Sequence, residues 1–304
     1  MTQRLLKPLL LTTLFAVSAC GAGGGTSVDG SGGSGGGGGG AGGDDGGGPG
    51  GPVLPTIDDS TSISQTTRIA NFQIGDAGTP GIGENASIQL DAGYLTAISG
   101  TVELFGQSVS ITNGRGTLNG QEVRVEIDAS SVGAFAVPVS VFSYGPNLAS
   151  PANPSGEAAF VVGQETAGSY LSAQPNGSVN YSGGFAVQGV LQIGGGQELA
   201  ELEGDITVNV SFGGADTATA TLDGAYDPAS GGPRSVELGI TNAPISENGF
   251  GGTLSCISGC STNGSTIDAT FYGPEAEEVG GVLAIDITRG GEVYEGAGTF
   301  VINQ

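Results

Sequence analysis

The stretch Phe271-Tyr272-Gly273-Pro274-Glu275-Ala276-Glu277-Glu278-Val279-Gly280-Gly281 joins two segments that each alternate polar and apolar residues. Residues 265–271 are Ser-Thr-Ile-Asp-Ala-Thr-Phe, and residues 282–287 are Val-Leu-Ala-Ile-Asp-Ile. Alternation with a period of two is typical of β-strands that bury one face. The sequence therefore predicts a β-hairpin with a structured tip.

Residues at the tip of this hairpin constrain the backbone. Gly273-Pro274 favours a turn, and Glu275-Ala276-Glu277-Glu278 suits one helical turn with carboxylates near its N-terminus. Gly280-Gly281 allows neighbouring groups to approach the backbone closely. We interpret the following positions as residues that maintain the fold: Phe271, Tyr272, Gly273, Pro274, Glu275, Ala276, Glu277, Gly280 and Gly281.

Strand candidates recur at regular spacing through the C-terminal half of the chain. They cover residues 178–192, 204–212, 216–223, 234–241, 250–255, 265–272, 279–289 and 292–302. Regular antiparallel strands favour closure into a barrel, because closure removes unpaired edges, and side chains just fill the interior of an eight-stranded barrel. The residues expected inside are Phe185, Val187, Ile206, Val208, Val210, Phe212, Leu222, Leu254, Phe271, Leu283, Ile285 and Phe300.

A second set of strand candidates precedes this barrel. They cover residues 86–90, 94–98, 101–105, 107–112, 121–127, 136–144 and 157–163, with turns at 91–93, 113–114 and 119–120. Helix-length amphipathic segments are almost lacking, so the predicted class is all-β. We place the boundary between the two β domains at residues 165–166.

Several of these segments resemble the β-barrel domains of bacterial transferrin-binding protein B and its lipoprotein relatives. The resemblance rests on the stretch quoted above and on five other segments, at residues 163–166, 177–183, 205–223, 248–253 and 295–300. It implies one lobe, in which a handle-like antiparallel β domain at 57–165 precedes an eight-stranded antiparallel barrel at 166–304. It also implies a lipoprotein tethered to the outer membrane, whose relatives capture host or environmental proteins. Both the cell surface and the periplasmic face are compatible with the sequence.

The N-terminus has the pattern of a bacterial lipoprotein signal peptide. Arg4 and Lys7 precede an apolar run over residues 9–17, and Val17-Ser18-Ala19-Cys20 follows. This pattern predicts cleavage after residue 19, acylation of Cys20 and anchoring to a lipid bilayer. A retained transmembrane anchor is the alternative, although the apolar run is short for a membrane span.

Residues 20–56 are predicted to form a disordered tether that begins at the lipidated cysteine. They consist largely of glycine, with some serine, aspartate and proline, and cannot bury enough apolar surface to fold. A glycine-rich coil of this length has a root-mean-square span of about 30 Å. A phosphate-binding glycine loop is the alternative, but the Lys-Ser/Thr that follows such a loop is absent.

The charge of the chain restricts its partners. The sequence has 30 acidic residues and seven basic ones, and removal of residues 1–19 would take away Arg4 and Lys7. Such an acidic surface repels phosphate backbones, which excludes nucleic acid and favours cationic partners. The charge also suits a protein that only needs to stay in solution after export.

The composition argues against an enzyme, a metal site or a cofactor site. The chain has no histidine and no tryptophan, and its one methionine is Met1. Catalytic triads with histidine, histidine-ligated zinc and histidine- or methionine-ligated haem are therefore unavailable. Carboxylate chemistry remains, but the acidic residues form no recognisable pair.

Two further cysteines lie close together in the C-terminal half. Cys256 and Cys260 are separated by Ile-Ser-Gly, a spacing that favours a local disulfide in an exported protein. A redox-active pair and a metal site are the alternatives. The loop that this disulfide would fix is a candidate contact surface.

Three functions are compatible with the sequence. The leading one is a non-enzymatic outer-membrane lipoprotein that captures a protein or a protein-borne nutrient, with an outer-membrane transporter as a second partner. Another is a carrier of a haem-like small ligand in a hollow barrel, which would need a ligand such as Tyr226, Tyr272 or Tyr294. The third is a structural envelope lipoprotein without a soluble ligand.

Overall fold

The computed structural model describes residues 60, 62–73, 80–104, 107–118, 120–127, 131–144, 156–229 and 231–304. The predicted signal peptide, Cys20 and the tether lie outside these residues. Everything described belongs to one compact unit, Pro52–Gln304. No helix in the described ranges is long and apolar enough to cross a membrane.

The N-terminal strands form an eight-stranded antiparallel sheet, here called the handle sheet. Its strands are β1 (Ile63–Gln73), β2 (Gly81–Leu90), β3 (Gly100–Leu104), β4 (Gln107–Ile111), β5 (Arg115–Leu118), β6 (Gln121–Glu126), β7 (Ala136–Tyr144) and β8 (Gly156–Gly163). They lie in the order β4-β3-β2-β1-β8-β7-β6-β5. The edge strands β4 and β5 meet at a bridge between Thr112 and Arg115, so the sheet is nearly closed.

The handle sheet departs from the sequence prediction at two places. Residues 94–98 form a turn instead of a strand, because the amides of Thr96 and Ala97 donate to the Gly93 carbonyl at 2.9 and 2.8 Å. Tyr94 is fully buried in this turn, and its contacts override the β propensity of its neighbours. The sequence analysis does not predict strands β1 and β5. In β1, polar residues such as Thr67 interrupt the alternation of polar and apolar residues that marks a strand.

The C-terminal strands form the predicted barrel. They are β9 (Gly177–Ile193), β10 (Gly196–Phe212), β11 (Thr217–Tyr226), β12 (Arg234–Pro244), β13 (Gly249–Thr253), β14 (Ser255–Ser258), β15 (Ser261–Thr262), β16 (Thr266–Tyr272), β17 (Glu278–Arg289) and β18 (Glu292–Asn303). β13 pairs with β16, and β14 pairs with β12. Since only Leu254 separates β13 from β14, this one bent segment closes the barrel.

The interior of the barrel is filled with apolar side chains. All the residues that the sequence placed inside belong to one buried cluster, from Phe185 on β9 to Phe300 on β18. A short helix that was not predicted, α1 (Gly168–Ser172), adds Leu171 to this cluster from one end of the barrel. The all-β class and the antiparallel barrel are thus confirmed.

The handle sheet packs on the outer surface of the barrel. Outward-facing residues of β9, β17 and β18 are small or β-branched, and they join the buried core of the handle sheet: Val190, Val282, Ala284 and Ala297. Strand β17 is therefore buried on both faces along most of its length. This shared core places the hairpin β16–β17 at the junction of the two sheets.

Candidate functional site

The barrel has two ends that differ in structure. The motif end comprises the turns at residues 213–216, 245–248 and 273–277, with α1 beside them. The cysteine end comprises the tips at residues 194–195, 227–229, 231–233, 256–260 and 290–291. Both ends carry residues that the sequence analysis selected.

At the motif end, the hairpin tip is a turn and does not contain the predicted helical turn. Gly273 has a φ of 88° and Ala276 a φ of 58°, so the chain reverses through two left-handed residues. The Ala276 carbonyl accepts hydrogen bonds from the Tyr181 hydroxyl at 2.7 Å and from the Gln304 side chain at 2.9 Å. These partners stabilise a conformation that alanine rarely adopts.

Glu278, the first residue of β17, joins the barrel to the handle sheet. Its carboxylate accepts hydrogen bonds from the backbone amides of Ala134 at 2.5 Å and Phe135 at 3.0 Å. The residue is only 4% exposed. Backbone donors thus replace the water that a buried carboxylate loses.

Residues 163–166 thread between the two sheets and contact the same tip. The Thr166 hydroxyl donates to the Gly273 carbonyl at 2.6 Å. The Glu165 carboxylate accepts from Gln65 of β1 at 2.5 Å and from Asn248 at 2.7 Å, so it bridges the handle sheet and the barrel. This segment carries part of the resemblance and the predicted domain boundary, and its Glu165 and Thr166 side chains bind the hairpin tip and both sheets.

The two glycines of the stretch lie where side chains press on the backbone. A Cβ on Gly281 would lie 2.5 Å from the Asp268 carbonyl oxygen and 2.7 Å from the Phe300 ring. A Cβ on Gly280 would lie 2.9 Å from a Val161 methyl group. Both contacts are shorter than ordinary carbon contacts, so larger residues would need the sheets to shift.

The remaining residues of the stretch also contact the protein itself. Phe271 packs in the barrel core, with its ring centroid 6.0 Å from those of Tyr181 and Phe250. The Glu277 carboxylate accepts from the Glu275 amide at 2.9 Å, and Glu275 itself is exposed at the tip. Pro274, next to Gly273, is half-buried in the turn.

At the cysteine end, a disulfide joins Cys256 and Cys260, whose Cα atoms are 5.7 Å apart. The loop links β14, which pairs with β12, to β15, which pairs with β17. Ile257 within it is 56% exposed. The Arg289 guanidinium donates to the Ser235 carbonyl beside the loop and makes no ion pair in the described part of the chain.

An ion pair lies next to this loop. The Nε and Nη2 atoms of Arg234 donate to the Glu292 carboxylate at 3.1 Å each, and the Tyr226 hydroxyl donates to it at 3.3 Å. The hydrogen bond from Arg234 lowers the pKa of Glu292. Burial, followed by the charge of Glu292, raises the pKa of Tyr226 to about 12. Tyr226 therefore stays neutral and serves as a donor.

Comparison with known families agrees with this geometry. Residues 174–301 match the family model described as the C-lobe and N-lobe β-barrels of Tf-binding protein B. The C-terminal domain has the fold of a transferrin-binding protein B barrel. No curated protein matches the chain significantly.

Solved structures similar to the chain include several transferrin-binding proteins. Intact Ap-TbpB, with N and C lobes, is 14% identical, with a TM-score of 0.45 over 78% of this chain and 46% of that one. A double mutant of TbpB from Haemophilus parasuis Hp5 is 16% identical, with a TM-score of 0.46 over 79% and 45%. This chain therefore spans less than half the length of these two proteins.

A smaller protein is similar over more of its length. HpuA from Kingella denitrificans, solved in complex with human haemoglobin, is 10% identical, with a TM-score of 0.37. The match covers 83% of this chain and 92% of HpuA.

The tyrosines considered as haem ligands are not available in this barrel. Tyr226, Tyr272 and Tyr294 are at most 2% exposed. Tyr272 donates to the Val161 carbonyl at 3.3 Å, and Tyr294 donates to the Val187 carbonyl at 2.7 Å. Burial raises the pKa of both hydroxyls, so neither is a ready phenolate ligand.

Two surface depressions lie outside the barrel interior. One, of about 300 Å³, is a cleft between β1 and the outer face of the barrel. There the Nη1 atom of Arg68 lies 3.5 Å from the Oδ2 atom of Asp268. The other, of about 470 Å³, lies between the glycine tips at 194–196 and 291. In the described ranges, no three acidic or cysteine residues are grouped closely enough to hold a metal ion.

Sequence reasoning missed the residues that join the two sheets. Glu278 lies within the quoted stretch, but the sequence carries no signal for its role, because its partners Ala134 and Phe135 lie 144 and 143 residues away. Ile257 was also passed over, although it is the one large apolar residue between the two cysteines.

Proposed function

We propose that this chain is a lipid-anchored outer-membrane protein that captures a second protein, or a nutrient carried by one, at the cell surface. The match of residues 174–301 to the barrels of Tf-binding protein B carries this proposal, because those barrels belong to a binding protein. Cys20 would hold the lipid and residues 20–56 would form the tether. An outer-membrane transporter would receive the nutrient, and no catalysis is involved.

The cysteine end is the surface that best suits capture. Ile257 presents an apolar side chain, and Arg289 presents a guanidinium group that no carboxylate pairs with in the described ranges. Arginine is among the residues that often dominate binding energies, and an exposed apolar side chain gains free energy when a partner removes it from water. The disulfide restricts the loop that carries Ile257, which lowers the entropy lost on binding.

The first experiment tests anchoring and exposure. Intact cells that express the full chain are treated with proteinase K, and Cys20→Ala is compared with the parent after fractionation. We expect digestion of the parent on intact cells, and loss of membrane association or of processing in the variant. If proteinase K leaves the parent intact on whole cells, or if the Cys20→Ala variant stays in the membrane fraction with unchanged processing, the proposed location is contradicted.

The second experiment tests capture. Transferrin and haemoglobin are the probes. Tf-binding protein B is named for transferrin, and HpuA was solved in complex with human haemoglobin. We expect the full chain to bind one of them and Ile257→Asp to weaken that binding by at least about tenfold. Glu275→Ala at the motif end is the matched control, since Glu275 is also exposed on a tip. Binding of neither probe, or equal loss in the control, would contradict the proposal.

A further inference from the structure

Strand β8 is buried on both faces, and one of those faces carries a carboxyl group. Ala158, Phe160 and Val162 point into the core of the handle sheet. Side chains alternate along a strand, so Glu157 shares the opposite face with Val161. Val161 contacts the barrel, because its carbonyl accepts from Tyr272 and its side chain lies against Gly280. Glu157 therefore also faces the barrel.

Within the described part of the chain, the surroundings of Glu157 do not compensate a negative charge. The residue is 4% exposed, and its Oε2 atom has no hydrogen-bond partner among the described residues. The Ser140 hydroxyl donates to the carboxyl group from β7. The charged groups that face it are Glu126 on β6 and Glu201 on β10, both acidic, and the nearby phenol of Tyr294 on β18 is neutral.

This environment favours the protonated acid. Burial, followed by the charges of Glu201 and Glu126, raises the pKa of Glu157 well above its ordinary value. A buried carboxyl group that lacks a cation usually keeps its proton rather than bear a charge. In the closed structure, Glu157 is then a neutral group within the contact between handle sheet and barrel.

The two ends of β8 differ in how firmly they are held. At its C-terminal end, the Val161 carbonyl accepts from the hydroxyls of Thr67 at 3.0 Å and Tyr272 at 3.3 Å. The carboxylate of Glu278 holds the adjacent segment through Ala134 and Phe135. At its N-terminal end, the contact with the barrel includes Glu157, whose Oε2 atom lacks a partner among the described residues. Ionisation would thus act on the less firmly held end.

We propose that Glu157 is a proton-controlled contact, which keeps the N-terminal half of β8 on the barrel while protonated and releases it when it ionises. The C-terminal half stays attached through Glu278 and Val161, so the handle sheet opens as a hinge on the side nearer the cysteine end. This proton-controlled contact would link the pH around the protein to the geometry of the surface proposed for capture. The contact itself does not require that the protein captures a partner.

Hydrogen exchange of the full chain at several pH values between 5 and 8, corrected for intrinsic exchange rates, tests this directly. Between the ordinary pKa that one controlling acid has in the open state and its raised pKa in the closed state, the open population rises by up to about tenfold per pH unit. We expect this rise in β8 and in the facing parts of β10 and β18, and no rise in Glu157→Gln, which keeps the shape without the charge. Glu203→Gln, an exposed acid on β10, is the control and should behave as the parent does.

A second measurement keeps the proposal testable if Glu157→Gln folds poorly. The carboxyl carbon of Glu157 can be followed by NMR titration of the parent labelled with ¹³C glutamate. A midpoint near the ordinary value of about 4.3 would overturn the proposal. The same holds if the parent shows no rise of exchange with pH, or if Glu157→Gln shows the same rise as the parent.

Discussion

The two ends of the barrel use their residues differently. At the motif end, α1 covers the opening with Leu171, and a Cβ on its Gly168 would lie 2.6 Å from the Glu247 carbonyl oxygen. Turn residues there are acidic, as in Asp216, Glu247 and Glu275. The cysteine end has no helix over it among the described residues, and it carries Arg234 and Arg289. One end is closed by internal contacts, and the other presents side chains outward.

This difference separates residues that maintain the fold from residues suited to binding. The stretch from Phe271 to Gly281 is engaged in the core, the turn and the contact with the handle sheet. A segment with so many internal contacts has little surface left for a partner. Loops on a rigid scaffold tolerate sequence change and often carry binding residues. Because internal contacts hold the turns of the motif end, we expect recognition to lie at the cysteine end.

Gly281→Val should have the largest effect on stability, because it destabilises the motif end. Valine would press on the Asp268 carbonyl and the Phe300 ring, because a Cβ there already lies 2.5 and 2.7 Å from them. Overpacking of this kind destabilises a fold by about 1–3 kcal/mol. Thermal unfolding measures the change. Glu277→Ala is the matched control and should melt within a few degrees of the parent.

Glu278→Ala should have an effect of similar size, since it separates the handle sheet from the barrel. The amides of Ala134 and Phe135 would lose their acceptor in a buried place. Hydrogen bonds to a charged group contribute about 1.5–3 kcal/mol. Urea unfolding gives the difference, with Glu275→Ala at the exposed tip as the control. A loss as small as that of the control would show that the carboxylate does not join the two sheets.

The barrel strands could be predicted from the sequence alone, whereas Glu278 and the hairpin tip could not. The barrel strands follow from alternation, and Phe271, Leu283 and Phe300 were placed inside correctly. Glu278 could not be assigned, because its partner Phe135 lies 143 residues away in the sequence. The tip was wrongly predicted as helical, since propensity does not register the hydrogen bonds that hold Ala276 at a φ of 58°.

Removal of the disulfide should have a moderate effect at the cysteine end. A chain-entropy argument gives about 2 kcal/mol for a five-residue loop. Cys256→Ser with Cys260→Ser should therefore lower the stability by no more than that and leave the barrel folded. Chemical unfolding measures the loss. Alkylation of the parent without reductant, followed by mass spectrometry, should find no free thiol at Cys256 or Cys260, and two alkylated thiols would contradict the disulfide.

Glu292→Gln should have the smallest effect, because the ion pair with Arg234 lies near the surface. Its side chain is 15% exposed and that of Arg234 is 27% exposed, so solvent screens the pair. The pKa of Glu292 is lowered in the folded chain, so its contribution is present above the unfolded pKa and is lost as pH falls through the folded pKa. We expect the variant to melt slightly below the parent at pH 7, and the two to converge in acid. A difference that persists or grows in acid would mean that Glu292 stabilises the cysteine end through packing and not through its charge.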